Sequence, residues 1–289
     1  MSKDAGRLGE DSLRVGWVVG EITRLNYFVG IGFAGLHHAA DATGNLRIVR
    51  EADETLGKPD RFGSPEAFQQ ALEKAAHVES FAKDEWDNDF PYLYGLATIR
   101  LWTIMESAID ELVIDLVRLR PQVRELPAIQ KLKGPLISFI SSSPEEQAEF
   151  LVNVLKEDVR ASLQPGIGRF EAILNAVGLG GAVHDGVRRV LLELSEVRHV
   201  LVHRRGKADA KLVKQRCPWL PLEVGDTVKV RCPEFNSFCL ACDWYVLELD
   251  QRITLLDGGT RGAKEAKLQD KIERQLDEFN AKVRGGPKG

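Results

Sequence analysis

The sequence predicts a mainly α fold, and three observations carry that prediction. Two long stretches, 91–119 and 187–206, repeat apolar residues at helical spacing over several turns. Two Ser-Pro-Glu clusters, at Ser64-Pro65-Glu66 and Ser143-Pro144-Glu145, mark helix starts with Ser as N-cap and Pro in the first turn. No regular alternation of strands and helices runs through the chain, as a parallel sheet would require.

Composition bounds the answer before any motif is read. At 289 residues there is room for one large or two modest domains and a sizeable core. The formal net charge of −4 argues against a protein that is basic all over. Charge is nevertheless local: between Arg198 and Arg216 stand seven Lys or Arg and a single acid, Asp209, so an anionic partner fits this spot. Four cysteines (Cys217, Cys232, Cys239, Cys242) without a signal peptide point to a reducing, cytoplasmic setting. The most membrane-like run, 13–35, is broken by Arg14, Glu21, Arg24 and Asn26, so the chain reads as soluble, with no membrane partner.

In chain order, residues 1–12 are polar and loose. Residues 13–35 fit strands and a Gly-interrupted helix equally. Within them, Gly30-Ile31-Gly32-Phe33-Ala34-Gly35 has the outline of a dinucleotide-binding fingerprint, with Glu51 about twenty residues on. The intervening helix would be very short and no further βα units follow, so a glycine-rich packing segment is the stronger reading. His37 and His38 are neighbours and would not share a helix face. A helix is expected from Ser64 to about Phe81, and the acidic run 83–89 is read as a break carrying the main domain boundary.

The longest helical pattern follows, over 91–119, with Leu101, Met105, Ile109, Leu112, Leu116 and Leu119 as its core stripe and Pro121 as its stop. Glu106 lies at the edge of that stripe, beside Trp102 and Val113. Residues 126–140 hold two prolines and read as irregular or a short helix. A capping box at 143–146 opens a helix to about Leu163, and 168–177 form a short helix ended by Gly178. Residues 222–231 alternate around Gly225-Asp226, which predicts a small β-hairpin. Residues 235–255 are a last core helix. The tail from Asp257 is Gly-flanked and charged, with a polar helix at about 263–283 that adds little core.

The chemistry concentrates in 187–206. Val187, Val190, Leu191, Leu194, Val197 and Leu201 form one apolar stripe, and Arg198 falls inside it. A guanidinium there does not lose its proton, so it needs a carboxylate or a cleft to line. Glu106 is the acid assigned to it. His203 follows near the helix end signalled by Gly206 and by Arg204, Arg205 and Lys207.

These residues resemble the signature of HEPN domains: an Arg (Arg198), an adjacent polar residue (His199), three further positions and a His (His203), then Gly206 and Asp209. The long helix with Trp102 and Glu106 resembles the family's opening helix, and 245–253 its closing one. The resemblance covers about residues 89–256. It implies an HEPN-like helical bundle, here with the hairpin as an insertion and residues 1–88 as an N-terminal extension of open structure. Residues 257–289 remain a charged helical or flexible tail.

The family consists largely of dimers. Many members are metal-independent endoribonucleases in toxin–antitoxin or antiviral settings, and others have lost catalysis. Carried over, Arg198, His199 and His203 become the catalytic set; the positive charge of Arg204, Arg205 and Lys207 then suits them to the substrate backbone. RNA, a second copy of the chain and an antitoxin or other regulatory protein are then the implied partners, with no cofactor and no metal.

That carry-over is chemically coherent. RNA brings its own nucleophile, the 2′-OH, so a protein needs proton transfer and charge on the phosphate. His203 has the side chain suited to acid–base work near neutral pH, and Arg198 can hold a phosphate bidentately. Three rivals stand beside it. Glu196, His199 and His203 share one helix face at metal-ligand spacing. The four cysteines offer a zinc site, although only one Cys-x-x-Cys is present. A catalytically inactive dimer serving as an RNA- or protein-binding scaffold would use Arg198 as an ion-pair partner only.

Overall fold

The computed structural model describes residues 15–134 and 136–284. Those residues form helices α1 (Trp17–Ala39), α2 (Ala42–Thr55), α3 (Pro65–Asp87), α4 (Pro91–Leu119), α5 (Pro121–Arg124), α6 (Pro127–Gln130), α7 (Leu136–Ser141), α8 (Pro144–Asp158), α9 (Gly168–Ala176), α10 (Asp185–His203), α11 (Cys232–Leu256) and α12 (Ala263–Arg284). A 3₁₀ turn at Ala161–Leu163 and a π-helical turn at Leu212–Arg216 complete the regular structure. The chain is mainly α, as its periodicity predicts. The expected loose segment 1–12 lies outside the described residues.

The caps behave as the residue types dictate. Ser64 Oγ accepts from Ala67 N at the start of α3, and Ser143 and Glu146 close a reciprocal capping box at α8. Pro occupies the first position of α3, α4, α5, α6 and α8, where its missing N–H costs nothing.

Two compact units emerge from the fold. One comprises 24–97 with 229–235; the other comprises 98–228 and 236–284 with the chain up to Thr23. The open question over 13–35 resolves as helix from Trp17 on, residues 13 and 14 lying outside the described residues: α1 runs unbroken through Gly30, Gly32 and Gly35. A fingerprint loop is therefore absent there, because a continuous helix leaves no free N–H groups to cradle a phosphate. Gly32 has a packing role instead, since a Cβ at that position would lie 2.8 Å from Leu93 Cδ1.

The expected break over 83–89 is also corrected. α3 continues to Asp87, and Glu85, 3% exposed, is its most informative residue. The Glu85 carboxylate accepts from the Tyr92 and Leu93 backbone N–H groups, both at 3.1 Å, and so caps α4 from the preceding helix. The acidic run that reads as a solvated break thus includes a buried cap. Phe90 sits between the two helices with φ 58, packed edge-on against Phe33 at 4.4 Å.

In the second unit the α4 stripe is core: Leu101, Met105, Ile109, Leu112 and Leu116 are all buried, whereas Leu119 is half-buried. Trp102 stacks on Phe170 at 5.0 Å, which ties α4 to α9. On α10, Val187, Val190, Leu191, Leu194 and Val197 are buried as expected. Near its end Val200 is buried and Leu201 only half-buried.

Two expectations fail in this unit. Residues 222–231 form no strand and no hairpin; an isolated antiparallel bridge joins Lys207 to Thr227. Residues 225–228 bond to residues 206–208 instead, through Ala208 N to Asp226 O, Gly225 N to Ala208 O and Val228 N to Gly206 O, each 2.8 Å. The alternating pattern was real, but its pairing partner lies upstream rather than across Gly225-Asp226. The charged C-terminal helix does add core: α12 buries Ile272 and Leu276, packs on α10, and accepts from Trp244 Nε1 at Glu273 Oε1, 2.9 Å away.

Candidate functional site

The site is built on α10, whose 19 residues run from Asp185 to His203. Its apolar stripe fixes the helix against the core, and this fixes which way Arg198 faces. The Arg198 side chain is 25% exposed, less buried than its place in the stripe implies, because a long stem can lie in the core while its head reaches out. The head points at Glu106 of α4, with Nη2 3.6 Å from Oε2. That is an ion pair beyond hydrogen-bond length. Arg198 Nε is buried and has no hydrogen-bond partner among the described residues.

Glu106 has a closer partner, which sequence reasoning missed. Arg169 of α9 donates from Nη1 to Glu106 Oε1 at 2.8 Å. One carboxylate therefore faces two guanidiniums, each on a different oxygen. No spacing rule links positions 106, 169 and 198, so only the packing of α4, α9 and α10 brings them together. Glu106 and Arg169 also line a cleft of about 290 Å³, together with Asp110, Lys156, Ser162 and Phe170.

His199 and His203 stand one turn apart with ring centroids 4.9 Å from each other. His199 is half-buried, and its pKa is lowered, first by burial and then by the nearby His203; Lys211 and Arg204 act the same way against Glu196. His203 is exposed at the last position of the helix. The helix stops there because Arg204 N and Gly206 N both bond Val200 O, at 2.9 and 3.1 Å, while Arg205 and Gly206 take left-handed φ of 56 and 70. Gly206 suits that conformation; Arg205 holds it at a steric cost.

The basic loop is anchored rather than loose. Arg204 Nε lies 3.5 Å from Asp209 Oδ2, and Asp209 Oδ1 accepts from Leu212 N at 2.8 Å, capping the π-helical turn. Lys207 Nζ donates to Thr227 Oγ1 at 2.6 Å. Arg204, Arg205 and Lys207 are all exposed, like His203, which they follow directly in the chain.

The metal and zinc rivals find little in this geometry. Glu196 is 9% exposed and its Oε1 lies 3.7 Å from Arg216 Nε. Among the described residues no group of three or more His, Cys, Asp or Glu is placed to hold a metal ion. Cys217, Cys239 and Cys242 are buried, and burial pushes the Cys239 thiol up to about 12. Burial raises the Cys242 thiol too, so both stay protonated and pack as small hydrophobes.

The fold and the site together define a mainly helical protein with a basic, histidine-bearing helix end and a two-arginine carboxylate cluster behind it. No family model, curated protein or solved structure matches the chain. No helix among the described residues is long and apolar enough to cross a membrane.

Proposed function

We propose that the end of α10 is the active site of a metal-independent endoribonuclease that cleaves RNA by attack of the 2′-OH on the adjacent phosphate. The observation that carries the reading is the co-location of exposed His203 with exposed Arg204, Arg205 and Lys207, on the same helix as a half-buried Arg198. The resemblance of Arg198, His199 and His203 to the HEPN signature supports it.

In this mechanism His203 relays the proton between the 2′-OH and the leaving oxygen. His199, kept neutral over more of the pH range, lies against the His203 ring and limits the charge the pair carries together. Arg198 stabilises the charge developing on the phosphate, and the exposed basic residues hold the RNA backbone.

Within one chain Arg198 and His203 diverge. Five positions on a continuous helix separate them by about 140° around the axis and about 7.5 Å along it. A two-fold axis beside α10 would bring Arg198 of one copy towards His203 of the other, so the working form is a homodimer. The toxin–antitoxin or antiviral setting, with an antitoxin or other regulatory partner, belongs to the same proposal.

The test is incubation of purified protein with total RNA and EDTA beside His203→Ala. Products ending in a 2′,3′-cyclic or 3′-phosphate, lost with the variant, support the reading. Cleavage that stops with chelator and returns with Zn²⁺ or Mn²⁺ overturns it. The second reading is a catalytically inactive dimer acting as an RNA- or protein-binding scaffold. The Arg198–Glu106 ion pair favours it, because it gives Arg198 a structural partner. RNA binding without cleavage, in either divalent-free or divalent-containing buffer, would select it.

A further inference from the structure

Arg198 and Arg169 share one carboxylate, but they do not share it equally. Arg169 makes the 2.8 Å hydrogen bond to Oε1, and Arg198 stands off Oε2 at 3.6 Å with its Nε unpartnered. Charge-assisted hydrogen bonds between guanidinium and carboxylate settle near 2.7–2.9 Å and form in parallel pairs where geometry allows. Arg198 makes neither. The single negative charge of Glu106 is already occupied by Arg169, and the remaining attraction on Arg198 is correspondingly weaker. The two guanidiniums also repel each other across the carboxylate.

From this we infer that Arg169 is a positioning residue whose task is to keep Arg198 available to an anionic ligand. By holding Glu106, Arg169 prevents that carboxylate from closing on Arg198 as a full bidentate partner. Arg198 is left half-buried, charged and short of acceptors, and a phosphate oxygen arriving at it supplies the acceptors it lacks. The inference rests on the phosphate-binding role given to Arg198. Without Arg169, Glu106 becomes the competing anion, permanently attached and at high effective concentration. Arg169 needs no contact with substrate for this; its effect reaches the phosphate only through Glu106 and Arg198.

The experiment measures Arg198 itself, in the full chain. Phenylglyoxal is added at neutral pH and modification of Arg198 is read by peptide mass spectrometry, normalised to exposed Arg205 in the same digest. Arg169→Gln should lower Arg198 labelling about tenfold, the scale of one charge-assisted hydrogen bond gained. Arg169→Lys keeps the charge on Glu106 and should label like the wild type. The double variant Glu106→Gln with Arg169→Gln removes the competing carboxylate and should restore labelling to the wild-type level or above.

Buried Arg252, with 5% side-chain exposure, reports folding in every digest, since its labelling rises only in an unfolded chain. If Arg169→Gln fails that control, the pair Arg169→Lys and Glu106→Gln decides: Glu106→Gln must raise Arg198 labelling and Arg169→Lys must not change it. Unchanged labelling in Arg169→Gln, or no recovery in the double variant, overturns the inference. A parallel binding arm uses a single-stranded RNA oligonucleotide, with about tenfold weaker Kd expected for Arg169→Gln and recovery in the double variant. Wild-type protein that neither binds nor cleaves RNA sinks the ribonuclease reading, while the labelling arm still decides the role of Arg169.

Discussion

At the scale of single residues, the two histidines of α10 are chemically different although they are one turn apart. His203 is exposed, and its removal is expected to slow RNA cleavage by about 10²-fold or more in a single-turnover assay, the scale of a positioned acid–base group. His199 also makes stability depend on pH. Its folded pKa lies below the ordinary 6.5, so below that pH the unfolded chain takes up a proton that the folded chain refuses. Stability is therefore lost as pH falls from 6.5 towards the lower folded value, and the loss stops below it. His199→Gln should flatten this part of the melting-temperature profile relative to wild type between about pH 5 and 7. Parallel profiles for the two proteins would show that the histidine is not depressed.

Glu106 belongs to this scale too. A fully buried pair loses about 3–5 kcal/mol when one partner is removed. Glu106, Arg198 and Arg169 have side chains 25%, 25% and 36% exposed, so water takes over much of the stranded charge. Glu106→Ala is expected to cost about 1–2 kcal/mol in chemical denaturation.

At the scale of elements, the strongest polar joint is elsewhere. Glu171 of α9 accepts from Tyr245 Oη at 2.7 Å and from Arg252 Nη1 at 2.8 Å, and it also caps Gly181 N at 3.1 Å. Arg252 donates onward to Glu248, to which Arg261 and Gln269 also donate. This network locks α9, the 179–182 connection, α11 and the start of α12 into one arrangement, and it holds α10's N-terminal approach. Glu171→Ala leaves Arg252 and the Tyr245 hydroxyl short of partners in the interior, and a loss of about 3 kcal/mol or more is expected. Gly181→Ala tests the same joint sterically, since its Cβ would fall 2.6 Å from Arg252 Nε.

On α11 burial pushes Asp243 up to about 6, from an ordinary value of 3.8. The folded state binds that proton more tightly than the unfolded chain, so stability falls as pH rises from about 4 to about 6 and stays at the lower level above. Asp243→Asn removes the cost, and its melting temperature at neutral pH should exceed wild type. No gain at pH 7 would mean that the carboxylate is solvated or paired there.

At the scale of the whole molecule, the proposed composite site predicts an oligomer. Differently tagged Arg198→Ala and His203→Ala chains, each inactive alone, should recover activity when co-expressed and purified as the mixed dimer. A wild-type protein that sediments as a monomer at micromolar concentration and remains fully active would rule the composite site out. If Arg204, Arg205 and Lys207 hold backbone phosphates as proposed, high salt should weaken RNA binding steeply.

What the sequence determined by itself is what local rules govern. The Ser64 cap, the capping box at Ser143, the proline starts and the apolar stripes of α4 and α10 follow from interactions within one or two turns, and the chain carries them on its face. The same is true of the helix end at His203, where Gly206 and the basic run stop α10. Only the tertiary structure decided where side chains far apart in sequence meet. Residues 222–231 alternate like a hairpin but pair with 206–208, because alternation fixes a strand's faces and not its partner. Glu85 and the polar helix α12 read as solvated, yet one caps α4 and the other buries Ile272 and Leu276, since burial depends on neighbours no window contains. Arg169 is the sharpest case. Nothing in GRFEAIL marks it, and its effect on Arg198 exists only because three helices bring positions 106, 169 and 198 around one carboxylate.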